Sequence, residues 1–350
     1  MVAGGCCLAR LRALRSESHM PHRSERFWTR IGASKNASTL KVFQWNVLAD
    51  GLAQHGDFVR VPQQALEWSF RQHLLLEEIL KPKADIVCLQ EVNTYENFFL
   101  PVLEKHGYSG AYFCKPCSPA EQYGAPCDGC ALFYRSDRFS VCSQPLGHTY
   151  TSLHGEGGNQ GMLRVCLLDK ESSQVICVAN THLKAKAGLK NDAIRDNQAK
   201  QLLQDLQQAV TRLSVADLTA NRSESAARQH EQGPPLVILC GDLNTTPDST
   251  TCQLLRSHAL ALRSSWDTYP GGGNVASSAQ LKQPFTTWKF RSSGESKRII
   301  DYIWYSVDER LELTAHWELP DEESIGDDGL PTFMYPSDHL AVCCEFSISS

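Results

Sequence analysis

The sequence predicts a layered α/β domain, and two observations carry that expectation. Five short runs have the continuous apolar character of buried strands, and stretches with helical spacing alternate with them along the chain. The runs are Lys41–Asn46, Asp85–Glu91, Val175–His182, Leu236–Asn244, and the pair Arg298–Asp301 with Ser337–His339.

Taken in order, residues 1–38 hold seven Arg/Lys against two Asp/Glu. This composition suits a mitochondrial targeting segment or a flexible tail, so the domain is expected to span 39–350 and to reside in the cytoplasm, the mitochondrion or both. After the first strand, Pro62 to Leu80 reads as a helix, with Ala65, Leu66, Leu75 and Ile79 at apolar positions. A second helix is expected over Thr94 to Lys105. A third, Arg195 to Leu213, places Leu202, Leu203, Leu206, Val210 and Leu213 on one stripe that must pack on a sheet. Thr246-Pro247 reads as a cap followed by proline at the first helical position. Ser214 to Pro235 and Tyr269 to Pro284 are polar, Gly- and Ser-bearing, and read as surface loops.

The chain has 350 residues, of which 42% are hydrophobic, enough for one large core or two smaller ones. No apolar stretch is long enough to cross a bilayer, so a soluble protein is expected. Outside the first 38 residues there are 27 basic and 37 acidic residues. That balance excludes the global basic footprint of a general nucleic-acid binder and favours a small anion held by a local cluster of cations. Fourteen cysteines are present, but Cys88, Cys177 and Cys240 lie inside apolar runs, where free Cys behaves as a small hydrophobe. Reduced thiols in an intracellular protein are expected. Cys114-x-x-Cys117 and Cys127-x-x-Cys130 have a zinc-like pattern, yet the gap between them is shorter than a zinc ribbon's and Cys130 opens a strand.

Polar residues at the ends of the five runs carry the chemistry. Asp242 and Asn244 lie two apart, so an extended chain points both to one side, where a base and an amide donor can address one phosphate. His339 follows Asp338, and a carboxylate-oriented imidazole can bind or protonate a phosphate oxygen. Glu91 ends an apolar run and needs a partner, for which a hard cation is the natural choice. His182, Lys184 and Lys186 alternate, so an extended segment would put all three on one face, two cations beside an imidazole. Asn, Glu, His, Asp/Asn and Asp-His are together the donor types of a magnesium-dependent phosphoester hydrolase.

The motifs Gln44-Trp-Asn46, Leu89-Gln-Glu91, Asn180-Thr-His182, Gly241-Asp-Leu-Asn244, Asp301-Tyr302 and Ser337-Asp-His339 occur in the order of the exonuclease–endonuclease–phosphatase superfamily, which the chain resembles over residues 40 to 348. Within it, Phe113-Cys-Lys115-Pro, Thr181-His-Leu-Lys-Ala185 and Thr287-Trp-Lys-Phe-Arg291 resemble a branch related to the cytoplasmic poly(A) deadenylases. The resemblance implies a four-layer α/β sandwich, with two central mostly antiparallel sheets flanked by helices and the site at one edge. It implies Mg²⁺ (one or two ions) on Glu91 with Asn46 beside it, and Asp242 activating water. It further implies that Asn244 bonds phosphoryl oxygens, that His339 is positioned by Asp338 or Asp301, and that His182 contacts the phosphate. Lys115 and Arg291 match positions expected to reach the phosphates of a dinucleotide, and Trp288 is either a stacking ring for a base or core. The implied activity is removal of the 2′-phosphate from NADP and NADPH by a monomer. A poly(A)-specific 3′ exoribonuclease acting on RNA, and a non-catalytic binding module, are the other readings. Two positions depart from the branch's pattern: Cys117 replaces a Trp, and Lys186 replaces an Arg, which keeps the charge but loses the bidentate fork.

Overall fold

The computed structural model describes residues 25–32, 37–152, 157–219, 233–269 and 283–349. In chain order the strands are β1 (Trp28–Arg30), β2 (Ser38–Asn46), β3 (Ile86–Val92), β4 (Tyr108–Cys114), β5 (Gly129–Arg135), β6 (Phe139–Val141), β7 (Leu146–Thr151) and β8 (Gly157–Asp169). They continue as β9 (Val175–His182), β10 (Leu236–Asp242), β11 (Leu262–Ser264), β12 (Thr287–Arg291), β13 (Gly294–Arg298), β14 (Asp301–Ser306), β15 (Leu311–Trp317) and β16 (Val342–Ile348). The α-helices are α1 (Asp50–His55), α2 (Gln63–Leu66), α3 (Trp68–Leu80), α4 (Leu100–Glu104), α5 (Leu189–Thr219), α6 (Thr250–Ser257) and α7 (Glu322–Ile325).

One large sheet runs β1-β15-β16-β2-β3-β5-β4, a second runs β11-β14-β10-β9-β8-β6 with β7 on β8, and β12 and β13 form a separate two-stranded hairpin. All pairs are antiparallel except β2–β3 and β9–β10. Alternation along the strands sorts their side chains into layers. Phe43, Trp45, Val87 and Leu89 pack outward with Leu75 and Ile79 of α3. Leu40, Val42, Ile86 and Cys88 face the other way and share a cluster with Ile176, Val178, Ile238 and Cys240 of the second sheet. Leu202, Leu203 and Leu206 of α5 belong to the same apolar mass, and Ala209 meets Cys166 and Cys177 on the second sheet. The order is therefore helix, sheet, sheet, helix, the four-layer sandwich expected. Among the described residues no helix is long and apolar enough to cross a membrane.

Several expected elements differ in detail. The first helix breaks at Glu67, whose ψ is 132°. Leu66 packs with Leu48, Ala53 and Phe58, whereas Trp68 packs edge-on against Phe98, so the chain must turn between two cores. In the second, Tyr95–Phe99 is a wide π-turn leading into α4, where Pro101 lacks the N–H that a tight helix would use. The third is longer at both ends, running from Leu189 through polar Lys190, Asn191 and Asp192 to Thr219, so the first residues of the loop expected from Ser214 are helical. The α6 cap is Ser249, which accepts from the Cys252 N–H at 3.2 Å, while the Thr246 hydroxyl turns to Asp248 at 2.6 Å.

The domain also starts before residue 39. Trp28–Arg30 pairs with β15, and the Arg26 guanidinium lies 3.4 Å over the Trp317 ring while bonding Glu78 at 2.6 Å. One of the seven basic residues of the N-terminal segment is thus a buried, paired cation. The targeting-like residues 1–24 and most of both expected loops (220–232 and 270–282) lie outside the described residues.

Candidate active site

The parallel pairing of β9 with β10 brings His182 opposite Asp242, and antiparallel β14 places Asp301 on the other side of Asp242. Gly241 is required here. A Cβ on it would sit 2.3 Å from the Thr181 carbonyl of β9. On the first sheet, Asn46 and Gln90 are partners at the ends of β2 and β3. The β3–β5 register shifts after Leu89, and Glu91 takes φ of 56°, a left-handed conformation rarely adopted by a residue of this kind. That twist turns a residue due to face α3 toward the strand ends instead. There its Oε1 accepts from Asn46 Nδ2 at 2.9 Å and its Oε2 from the Ala49 N–H at 3.1 Å. Such strain at a site is held by the surrounding bonds.

Asn46 links the two carboxylates, since Nδ2 also donates to Asp242 Oδ2 at 3.1 Å. Its own Oδ1 is occupied by the Leu48 N–H at 3.0 Å. Asp242 is buried, with His182 Nε2 at 3.5 Å and His339 Nε2 at 3.8 Å. Burial pushes its carboxyl up, against the pull of the two imidazoles. His339 donates Nδ1–H to Asp301 Oδ2 at 2.8 Å. Burial opposes its charge, but Asp301, Asp338 and Asp242 outweigh burial and Lys289, raising it to about 9. His182 is the reverse case, since burial and Lys115 push it down to about 4. Lys115 Nζ approaches His182 Nδ1 at 3.4 Å, so Nδ1 accepts and Nε2 carries the proton. Lys115 is itself clamped by Asp128 at 2.6 Å.

These groups open into a cleft of about 510 Å³, lined on the other side by Lys184, Lys186, Lys289 and Arg291. Asp338 is held by Lys289 at 2.5 Å and Arg291 at 3.5 Å, and its carboxyl lies well below the usual range. Lys184 and Lys186 make no ion pair among the described residues. Asp242, Asp301 and His339 offer donor atoms within 4.8 Å of one another, the one such group among the described residues. The Asp301 oxygens are already taken by Gln44 at 3.1 Å, Thr286 at 2.6 Å and His339. Asp301 is therefore committed to holding His339, whose Nε2 stands 3.8 Å from Asp242 Oδ2.

Comparison with known proteins agrees with this arrangement. A profile described as the Endonuclease/Exonuclease/phosphatase family matches residues 43–339, which contain every strand-end group named above. The chain belongs to the endonuclease/exonuclease/phosphatase family. Within that family it is similar to nocturnin of Mus musculus, at 38% identity over 91% of this chain and 68% of that protein. The human nocturnin catalytic domain with bound sulfate superimposes with a TM-score of 0.70 at 32% identity, covering 95% of this chain and all of that one. The CCR4-Not complex 3′-5′-exoribonuclease subunit Ccr4 of Candida albicans is 28% identical over 90% of this chain and 42% of its own length. Membership of the endonuclease/exonuclease/phosphatase family makes the chain a hydrolase of phosphoester bonds.

Most residues expected at the site converge on this cleft, and the structure specifies how each is held. Asn46 is buried behind the cleft with its amide donor toward both carboxylates, so it spaces Glu91 and Asp242. His339 is oriented by Asp301, because Asp338 lies 3.9 Å from Nε2 and bonds the cations instead. Asn244 and Lys186 reach the cleft through left-handed turns, φ 52° and 74°, and not by strand alternation. Asn244 is fixed by its N–H to Asp242 Oδ1 at 2.9 Å and its Nδ2 to the Leu183 carbonyl at 3.2 Å. Trp288 faces away from the cleft into a satellite core with Phe285 and Leu330. Strand alternation on β12 makes Lys289 and Arg291 the cleft-facing pair. Lys289, Asp128 and Thr286 escaped the sequence reading, and only the alternation in Trp-Lys-Phe-Arg signalled the first of them.

Proposed function

We propose that the chain removes the 2′-phosphate of NADP and NADPH, giving NAD and NADH. One observation carries this reading. Lys184 and Lys186, without ion-pair partners among the described residues, line the same cleft as His182, Asp242 and His339 in a body with excess acidic charge. Two cations beside the reacting centre favour a substrate with several phosphates near the scissile one, as a phosphorylated dinucleotide has.

The residues supply the rest of the chemistry. Asp242, held at a raised pKa, accepts a proton from the attacking water. The neutral His182 presents Nε2–H, and Asn244 an amide, to phosphoryl oxygens. The cationic His339, braced by Asp301, stabilises the charge that develops there. The Glu91 carboxylate, which lines the cleft beside the Asn46 amide, is a hard oxygen donor suited to Mg²⁺. A divalent ion on Glu91 would polarise a phosphoryl oxygen and lower the pKa of bound water.

The test is incubation of purified protein with NADPH, and separately with poly(A), with Mg²⁺ or with EDTA. Metal-dependent release of phosphate and NADH, lost in Asp242→Ala and Glu91→Ala, is expected. Efficient shortening of poly(A) with intact NADPH would replace this reading by the exoribonuclease one, the activity named for the Ccr4 relative.

A further inference from the structure

The cleft has one wall that the phosphate chemistry does not use. His55, at the end of α1, and Tyr123, on the single turn Pro119–Tyr123, stack with ring centroids 4.1 Å apart and planes 17° from parallel. Both line the cleft that holds Asp242 and His339, and both are exposed, Tyr123 by 44%. Tyr123 joins none of the hydrophobic clusters among the described residues, so core packing does not explain it.

The pair is nevertheless fixed. Gly51 of α1 sits so close to the Tyr123 turn that a Cβ would lie 2.5 Å from the Ala125 methyl. Ser118 caps that turn reciprocally with Glu121, and its hydroxyl also donates to Asp128, the residue that clamps Lys115. On the other side, Arg291 donates to the carbonyl of Gly56, next to His55. Each half of the stack is thus tied to a cation of the phosphate site. Rigidly joining an aromatic face to phosphate-binding cations is what recognition of a nucleotide requires, because any base offers a π-face and stacking tolerates its identity.

We propose that His55 and Tyr123 form a stacking platform for a heterocyclic base of the nucleotide substrate. This deepens the reading above, for which the base is one of the two heterocycles of NADP(H). The experiment is equilibrium binding of NADPH in EDTA, so that nothing turns over, to wild type, Tyr123→Ala, Tyr123→Phe and His55→Ala. Inorganic phosphate is titrated in parallel as the base-free probe, and thermal midpoints check folding. Tyr123→Ala is expected to weaken NADPH binding by about tenfold, the worth of one stacked base, and phosphate binding by much less. Tyr123→Phe, which keeps the ring, restores it. Equal NADPH affinity in wild type and Tyr123→Ala overturns the platform, as does an equal loss for phosphate. If wild type does not bind NADPH, the NADP(H) reading fails and the same variants are compared on an oligoadenylate. A loss there sustains the platform, and unchanged or absent oligoadenylate binding ends it.

Discussion

His182 and His339 face one carboxylate from two sides, yet their surroundings hold them in opposite protonation states. His339 is raised to about 9 and His182 lowered to about 4, from a common 6.5. The first therefore stabilises the fold fully below about 6.5, and that contribution is lost as pH rises toward 9. The second acts at the other end, costing stability as pH falls from 6.5 toward 4, where the unfolded chain takes up a proton that the buried ring resists. Wild type should lose its thermal-midpoint advantage over His339→Asn as pH rises from about 6.5 to 9; calorimetry across that range checks it, and a constant difference would contradict it. Lys184→Ala should weaken NADPH binding by roughly three- to tenfold with little change in thermal midpoint, as expected for one charge at a half-exposed phosphate contact. At this scale the sequence was most readable where a polar residue ends an apolar run, since burial makes such a residue costly without a purpose. Asn46, Glu91, His182, Asp242 and His339 were all found that way. Lys289 lies inside a strand and not at the end of an apolar run, so this signal does not mark it out.

Elements place those residues by backbone contact, which leaves a thinner trace in sequence. Because the Gly241 Cβ position lies against the Thr181 carbonyl, Gly241→Ala must part β10 from β9 next to Asp242 and His182. A cost of about 1–3 kcal/mol in denaturant unfolding, with a fall in kcat, is expected for this overpacking. A second element-scale prediction concerns β8 and β9, where Cys166 and Cys177 are register partners with sulfurs 2.8 Å apart. Contact with the Cys177 thiol lowers the Cys166 pKa, with Arg164 also favouring the thiolate. Oxidised glutathione should convert the pair to a disulfide, releasing two reduced glutathiones, and raise the thermal midpoint. Peptide mass spectrometry should map the loss of two thiols to these residues, and Cys166→Ser should abolish both effects. The hydrophobic periods found the main helices and strands, because burial on one face imposes them. They could not find the break at Glu67 or the polar start of α5, since the first reflects two competing cores and the second has no apolar face to display.

Across the whole molecule, the two sheets are joined above the site by side-chain amides as well as by apolar packing. Asn180 of the second sheet donates to the Leu89 and Ala131 carbonyls of the first, at 2.9 and 2.8 Å. Its Oδ1 accepts from Gln90 Nε2 at 2.7 Å. Gln90 in turn accepts from Gln44, whose amide also reaches Asp301 Oδ1 at 3.1 Å. A chain of fully buried amides thus runs from the inter-sheet core to the carboxylate that orients His339. One carboxamide within each of three apolar runs was visible in the sequence, but their meeting depends on sheet pairing that no run encodes alone. Replacing Gln90 by Leu would leave the Asn180 oxygen buried without this donor and free the Gln44 amide to move. The loss of a buried partner costs about 1–3 kcal/mol, read as a lower denaturant midpoint. Because Asp301 stays anchored by Thr286 at 2.6 Å, His339 should be loosened rather than released, so kcat should fall while substrate binding by the cations persists. Loss of stability with kcat untouched would show that the amide chain fastens the sheets without reaching the chemistry.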